Sequence, residues 1–166
     1  MMKAVWSGVA AAVMIAGVSS AAYAQATDSK SINVTVNVNA RAKLTLGTAT
    51  VTFADADPDV TPTLTSAAIT IDVKSRSSAA GSVTLTMQAA GDLVSGTDTI
   101  AISNLSWTAS GTGFVGGTAS TATAQTVGSW TGPGNPSGSH TLSLPNSWAY
   151  AIGSYTATLN YTLSAP

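Results

Sequence analysis

Residues 31–39 read SINVTVNVN and alternate polar and apolar side chains without a break. Successive side chains of a β-strand point to opposite faces, so this alternation predicts a strand with one apolar face. That face would carry four side chains: Ile32, Val34, Val36 and Val38. Such a strand can pair within its own domain or with a neighbouring copy of the chain, and the sequence leaves both arrangements open.

The same period of two recurs along the chain. It is clearest in residues 68–74, 82–88 and 154–164, where Val, Ile, Leu and Tyr alternate with Thr, Asp, Lys, Gln, Asn and Ser. Thr and Val suit a pleated surface better than a helix. Short strands separated by turn residues every 8–12 positions are typical of an antiparallel sandwich. We therefore predict an all-β fold, a single Ig-like β-sandwich of seven to nine strands. The shorter predicted strands are 43–46, 48–53, 99–102, 105–109, 124–130 and 140–144.

The first 24 residues have the pattern of a secretory signal peptide. Met1-Met2-Lys3 is a short positive region, residues 9–18 are apolar, and Ala22-Tyr23-Ala24 is a cleavage motif. The prediction is an exported protein of a bacterium, located outside the cell, on its surface or in the periplasm. The domain would span residues 25–166 and contain no integral membrane segment.

Composition narrows the classes of partner. The chain has no cysteine, so a folded domain must rely on burial and strand pairing rather than on disulfides. Without Lys3, five basic residues remain against seven acidic ones, all of them Asp. Charges that are so few and so dispersed in the sequence indicate neither a nucleic acid nor an anionic membrane as partner.

Catalytic chemistry has little support in the residues. His140 is the only histidine and follows a Gly/Pro/Ser-rich turn, so we predict a turn or strand-end position for it. No G-x-S-x-G motif is present, and one histidine without cysteine lacks the usual ligands of zinc. The prediction is a protein that is not an enzyme.

Three carboxylates alternate in the segment DADPD: Asp55, Asp57 and Asp59. Alternate Asp residues in a loop can converge on Ca²⁺, although the Gly and the distal Glu of an EF-hand loop are missing. Asp also favours turns because its side chain accepts hydrogen bonds from nearby backbone N–H groups. We predict no cofactor, with Ca²⁺ at these residues as the alternative.

Two tryptophans lie beside predicted turns, Trp130 and Trp148. Exposed aromatic rings can stack on sugars, so a secreted carbohydrate- or surface-binding module is the alternative function. Trp107, Tyr155 and Tyr161 share faces with aliphatic residues and are predicted in the core.

The layout of the chain resembles a known group of proteins. An alternating N-terminal strand leads into Leu44-Thr45-Leu46-Gly47, and residues 153–163 (GSYTATLNYTL) close the chain. This layout is similar to that of bacterial pilin-like Ig-fold proteins, namely spore coat U-type proteins and cysteine-free α-fimbrial subunits. The resemblance implies donor-strand complementation, in which a neighbour's N-terminal strand fills a gap in each sandwich.

On that resemblance, the four apolar side chains of residues 31–39 are the ones that would fill the gap. The expected function is a secreted, non-enzymatic structural or surface-assembly protein, such as a fimbria-like or coat subunit. Its expected partners are further copies of itself, in a homopolymer or homo-oligomer, or other surface proteins.

Overall fold

The computed structural model describes residues 26–166. The predicted signal peptide, residues 1–24, lies outside this range. The described residues form eleven β-strands and one short 3₁₀ helix, which confirms the all-β prediction. None of their helices is long and apolar enough to cross a membrane. The strands are β1 Arg41–Leu46, β2 Thr63–Thr65, β3 Ile69–Arg76, β4 Ser82–Ala89, β5 Leu93–Ser95, β6 Asp98–Ile100, β7 Ser106–Ser110, β8 Gly117–Thr118, β9 Gln125–Thr131, β10 Ser137–Pro145 and β11 Leu159–Ser164.

Two main antiparallel sheets form a sandwich-like arrangement within the compact unit Asn37–Pro166. The larger sheet has the order β1-β3-β10-β7-β8, and β2 also pairs with β10. The smaller sheet has the order β11-β4-β9, and β5 and β6 form a separate hairpin. The core lies between the inner faces of the two main sheets.

Strands β3 and β4 show how the sequence produces this core. In β3, Ile69, Ile71 and Val73 are buried while the intervening residues are exposed. In β4 the same alternation buries four side chains, among them Leu85 and Met87. Both strands were predicted from the period of two to within two residues at each end. Except for Val83, their buried side chains join those of β7, β9 and β10 in one cluster.

The predicted strand count was too low. The described residues form eleven strands. The prediction missed β2, β5 and β8, because each has only two or three residues, too few to show a period of two. Residues 48–53 carry no strand, and residues 99–102 and 105–109 do not pair with each other. Instead β6 pairs with β5, and β7 pairs with β10 and β8. Pairing partners depend on long-range contacts that alternation does not encode.

Only the second half of residues 154–164, the longest alternation in the sequence, forms a strand. β11 begins at Leu159, and before it only Thr156 makes an isolated bridge, to Val94. Tyr155 is half-buried, and its hydroxyl donates a hydrogen bond to the Ala151 carbonyl at 2.9 Å.

The stretch 31–39 carries no strand in the structure; none is assigned to residues 26–40. Its four apolar side chains are exposed, by 88, 83, 76 and 64% for Ile32, Val34, Val36 and Val38 in turn. An alternating sequence becomes a strand only when its backbone finds a partner. The sequence left open whether this stretch pairs within its own domain or with another copy, and both arrangements stay predictions.

Truncating the centre of the core tests this architecture. Leu85 is fully buried, so Leu85→Ala should lower the free energy of unfolding by about 2–5 kcal/mol. Ile152 is fully exposed, and Ile152→Ala is the matched control, expected to change stability by no more than about 0.5 kcal/mol. Urea denaturation followed by circular dichroism measures both. Equal effects of the two substitutions would contradict the described core.

Candidate functional site

The smaller sheet has a free edge at β11. Among the described strands, β11 pairs in a ladder only with β4, from Leu159 opposite Ala89 to Ser164 opposite Thr84. The N–H and C=O groups on its other side therefore have no partner strand. An unpaired edge of this kind is a template for a further strand.

The larger sheet has a matching free edge at β1. Within the described part of the chain, β1 pairs only with β3, from Arg41 opposite Arg76 to Leu46 opposite Ile71. Strands β1 and β11 lie beside each other, yet their backbones are not paired. We call the gap between these two strands the open seam.

Side-chain burial shows that the core is incomplete at the open seam. The inward-facing residues of β3 and β4, one strand away from each edge, are almost completely buried. The corresponding residues of the two edge strands are only half-buried. They are Leu44 and Leu46 on β1, and Leu159, Tyr161 and Leu163 on β11. Apolar surface therefore remains available where a further strand would lie.

A layer of aromatic rings lies behind β11. His140 on β10 is fully buried, and its ring centroid lies 6.1 Å from those of Trp107 and Tyr161 and 6.0 Å from that of Phe114. These contacts connect the two sheets, since Tyr161 belongs to the smaller sheet and His140 to the larger one. The predicted turn or strand-end position of His140 is wrong: β10 begins three residues earlier and continues to Pro145.

This layer holds polar atoms without partners. Within residues 26–166, neither ring nitrogen of His140 nor the buried hydroxyl of Tyr161 has a hydrogen-bond partner. A buried polar group left without a partner costs about 1–3 kcal/mol. The region beneath β11 is therefore less well satisfied than the rest of the core.

Burial shifts the pKa of both groups towards the neutral form. Desolvation lowers the pKa of His140 below its ordinary value of 6.5. The backbone of Val127 acts in the opposite direction, but neither ring nitrogen reaches hydrogen-bonding geometry. Desolvation raises the pKa of Tyr161 to about 12. His140 is thus neutral near pH 7.

The three aspartates of DADPD do not converge on a metal site. No group of three or more His, Cys, Asp or Glu in residues 26–166 is arranged to hold a metal ion. Asp57 Oδ1 accepts a hydrogen bond from the Asp59 N–H at 2.9 Å, which is the turn-forming role of Asp. Asp59 Oδ1 accepts one from the Trp148 indole at 3.1 Å. Asp57 thus has the turn-forming role that the sequence allowed, and Ca²⁺ binding stays the alternative prediction.

The two candidate tryptophans have different environments. Trp130 is half-buried on β9, with its ring against Phe114 at 4.9 Å between centroids and its indole N–H donated to the Thr112 carbonyl at 2.9 Å. Gly128 makes room for this ring, because a Cβ there would collide with it. Trp148 is 70% exposed. Only Trp148 presents a free aromatic surface.

The sequence predicts an apolar strand face for residues 31–39, which stays a prediction, and it gave no indication of the open seam. Its edge strands differ from β3 and β4 only in that each has a single neighbour, and pairing is a property of the folded chain. The half-buried alternation of β11 gave no signal to distinguish an edge strand from a central one.

No protein-family model matches the sequence, and no curated protein is significantly similar to it. The family resemblance drawn from the sequence thus stays a prediction.

Acid should destabilise the fold through His140. Its folded-state pKa lies below the unfolded value of 6.5, so the unfolded chain binds the proton more readily. The contribution of neutral His140 to the free energy of unfolding is complete above about pH 6.5. It is lost as the pH falls towards the folded-state pKa, by up to about 1.4 kcal/mol per pH unit. Urea denaturation between pH 7 and 5 measures this slope.

His140→Leu is the matched control, since leucine has a similar volume and does not titrate. Its stability should not vary with pH over this window. The same slope in both proteins would show that other groups cause the pH dependence.

Proposed function

We propose that this chain is a secreted, non-enzymatic structural subunit, in which residues 31–39 of one copy complete the open seam of the next. The single observation that carries the proposal is the coexistence of an exposed apolar stripe with an unpaired sheet edge over a half-buried core. Pairing the stripe with this edge would bury the exposed apolar surface of both. The family resemblance seen in the sequence supports the same mode of assembly.

The two parts match in length and periodicity. From Ile32 to Val38 an extended strand spans about 20 Å, and β11 spans about 17 Å. Both place apolar side chains at every second position, so the added strand can present its stripe to the core while its Asn and Thr residues face water. Backbone hydrogen bonds give affinity in such strand addition, and the alternate side chains give specificity.

The energies involved are large enough to drive assembly. Burying four Ile and Val side chains contributes about 6–12 kcal/mol as an upper bound. The whole stability of a domain of this size is typically about 5–15 kcal/mol. Insertion of the segment would therefore stabilise the acceptor subunit as well as link two copies.

The test compares charges placed on the two faces of the segment. Val34→Asp with Val36→Asp places two carboxylates on the apolar stripe and should abolish assembly, because burying an unpaired charge is costly. Asn33→Asp with Asn37→Asp adds the same charge to the polar face and should leave assembly intact. Light scattering across a range of protein concentrations measures the mass.

The wild-type chain lacking residues 1–24 should give a mass that rises with concentration. A wild-type mass equal to one subunit at every concentration would contradict the proposal, and so would normal assembly of the Val34/Val36 variant.

A second function, carbohydrate binding, is favoured by one observation, the exposed indole of Trp148. Removing a stacking ring should weaken sugar binding by about fivefold, since each such contact contributes on the order of 1 kcal/mol. Glycan-array binding that is lost in Trp148→Ala and kept in Ile152→Ala would establish this function. No binding by the wild-type protein would exclude it for the glycans on the array.

A further inference from the structure

Four basic side chains form a ladder on the outer face of β1 and β3. The strand register places Arg41 opposite Arg76 and Lys43 opposite Lys74, with all four exposed. Residues directly opposite in an antiparallel pair have Cβ atoms about 5 Å apart. Four of the five Lys and Arg residues of the described chain thus lie in one patch, the basic ladder. The charges that are dispersed in the sequence are concentrated in the fold.

The basic ladder keeps a net positive charge within the described chain. Like charges directly opposite one another destabilise a strand pair. The one ion pair within residues 26–166 joins Lys30 and Asp28, so it involves none of the four. Asp72 shares the outer face of β3 and offsets one of the four positive charges, and its Oδ1 also accepts a hydrogen bond from the Ser137 hydroxyl at 2.6 Å. An external anionic partner would offset this repulsion.

A surface of opposite charge lies in the loop before β2. Asp55, Asp57 and Asp59 are all exposed there. Beside them are two exposed apolar side chains, Val60 at 78% and Trp148, whose indole donates to Asp59. Tryptophan is enriched at protein interfaces, and the rims of interfaces are polar. We call these five residues the acidic surface.

The two surfaces lie at opposite ends of the sandwich. The first residue of β10, Ser137, lies opposite Asp72, next to the basic ladder. Beyond its last residue, Pro145, the Asn146 amide donates to the carbonyls of Ala56 and Thr61 and so holds the acidic loop. The length of β10 puts the two surfaces about 27 Å apart.

Antiparallel strand addition brings these opposite surfaces together. β1 runs from the basic ladder towards the acidic surface, and β4 runs the same way, since it follows β3 through a turn at the basic end. β11 is antiparallel to β4 and therefore runs towards the basic end. A segment added antiparallel to β11 ends, at Val38, near the acidic surface of the acceptor. Arg41 of the donor, which opens its basic ladder, follows three residues later.

We propose that the basic ladder of one copy docks on the acidic surface of the next copy, so that charge sets a head-to-tail direction of assembly. The inference rests on the proposed strand exchange and adds a second contact to it. Arginine can pair with carboxylates in a bidentate manner and can stack on the indole of Trp148. Complementary charge of this kind fixes register and raises the association rate more than it raises affinity.

Charge reversal on each surface tests the contact. The first variant carries Arg41→Glu, Lys43→Glu, Lys74→Glu and Arg76→Glu, and the second carries Asp55→Lys, Asp57→Lys and Asp59→Lys. Each alone opposes like charges and should raise the concentration for half-maximal assembly by at least about tenfold. An equimolar mixture restores opposite charges at every contact and should assemble at the wild-type concentration. Asp98→Lys, an exposed change on β6 outside both surfaces, should have no effect.

The outcomes separate this inference from the proposed function. If the wild-type protein assembles and both charge variants assemble equally well, the strand exchange stands and the charge contact is overturned. If the wild-type protein stays a monomer, the proposed function fails and the inference fails with it. Circular dichroism confirms that each variant is folded. Binding of heparin to the wild-type monomer that the first variant loses, with assembly unchanged, would assign the basic ladder to polysaccharides and overturn the inference.

Discussion

One sheet edge of the structure has backbone groups without hydrogen-bond partners, and the assembly we propose depends on this edge. Backbone N–H and C=O groups need partners, and those on the outer side of β11 have none among the described strands. The side chains below this edge are half-buried, and the layer containing His140 and Tyr161 keeps polar atoms without partners. The same side of the sandwich is thus incomplete in its backbone pairing, its apolar burial and its polar contacts.

The exposed stripe of residues 31–39 complements that edge in kind and in length. A single chain leaves Ile32 and Val34 almost completely exposed, which is costly for a segment with so few charges. Placed on another copy, the same residues would meet the half-buried face of β11. In the proposed assembly, the basic ladder would then meet an opposite charge where the chain passes from one subunit to the next.

Local alternation made much of the fold predictable. β3 and β4 were predicted almost to the residue, because both faces of each strand have a fixed environment. The pattern failed where pairing decides the outcome. Residues 31–39 alternate as cleanly as β4 and carry no strand, and only the second half of residues 154–164 is paired.

The candidate site was less predictable than the fold, for a physical reason. Arg41 and Arg76 lie 35 positions apart and become neighbours only through the register of β1 and β3. His140 was predicted as a turn or strand-end residue because of the glycines and prolines before it. It lies within β10 instead, and its side chain is fully buried. Sequence patterns report the face of a residue within its strand, whereas the composition of a surface depends on which strands meet.

Hydrogen exchange at β11 tests the central claim most directly. The backbone amides of Leu159–Ser164 that point away from β4 should exchange rapidly in dilute, monomeric protein. They should become protected when the protein assembles, and a variant with Val34→Asp and Val36→Asp should show no such protection. Equal exchange rates at these amides in the monomeric and assembled protein would contradict the account.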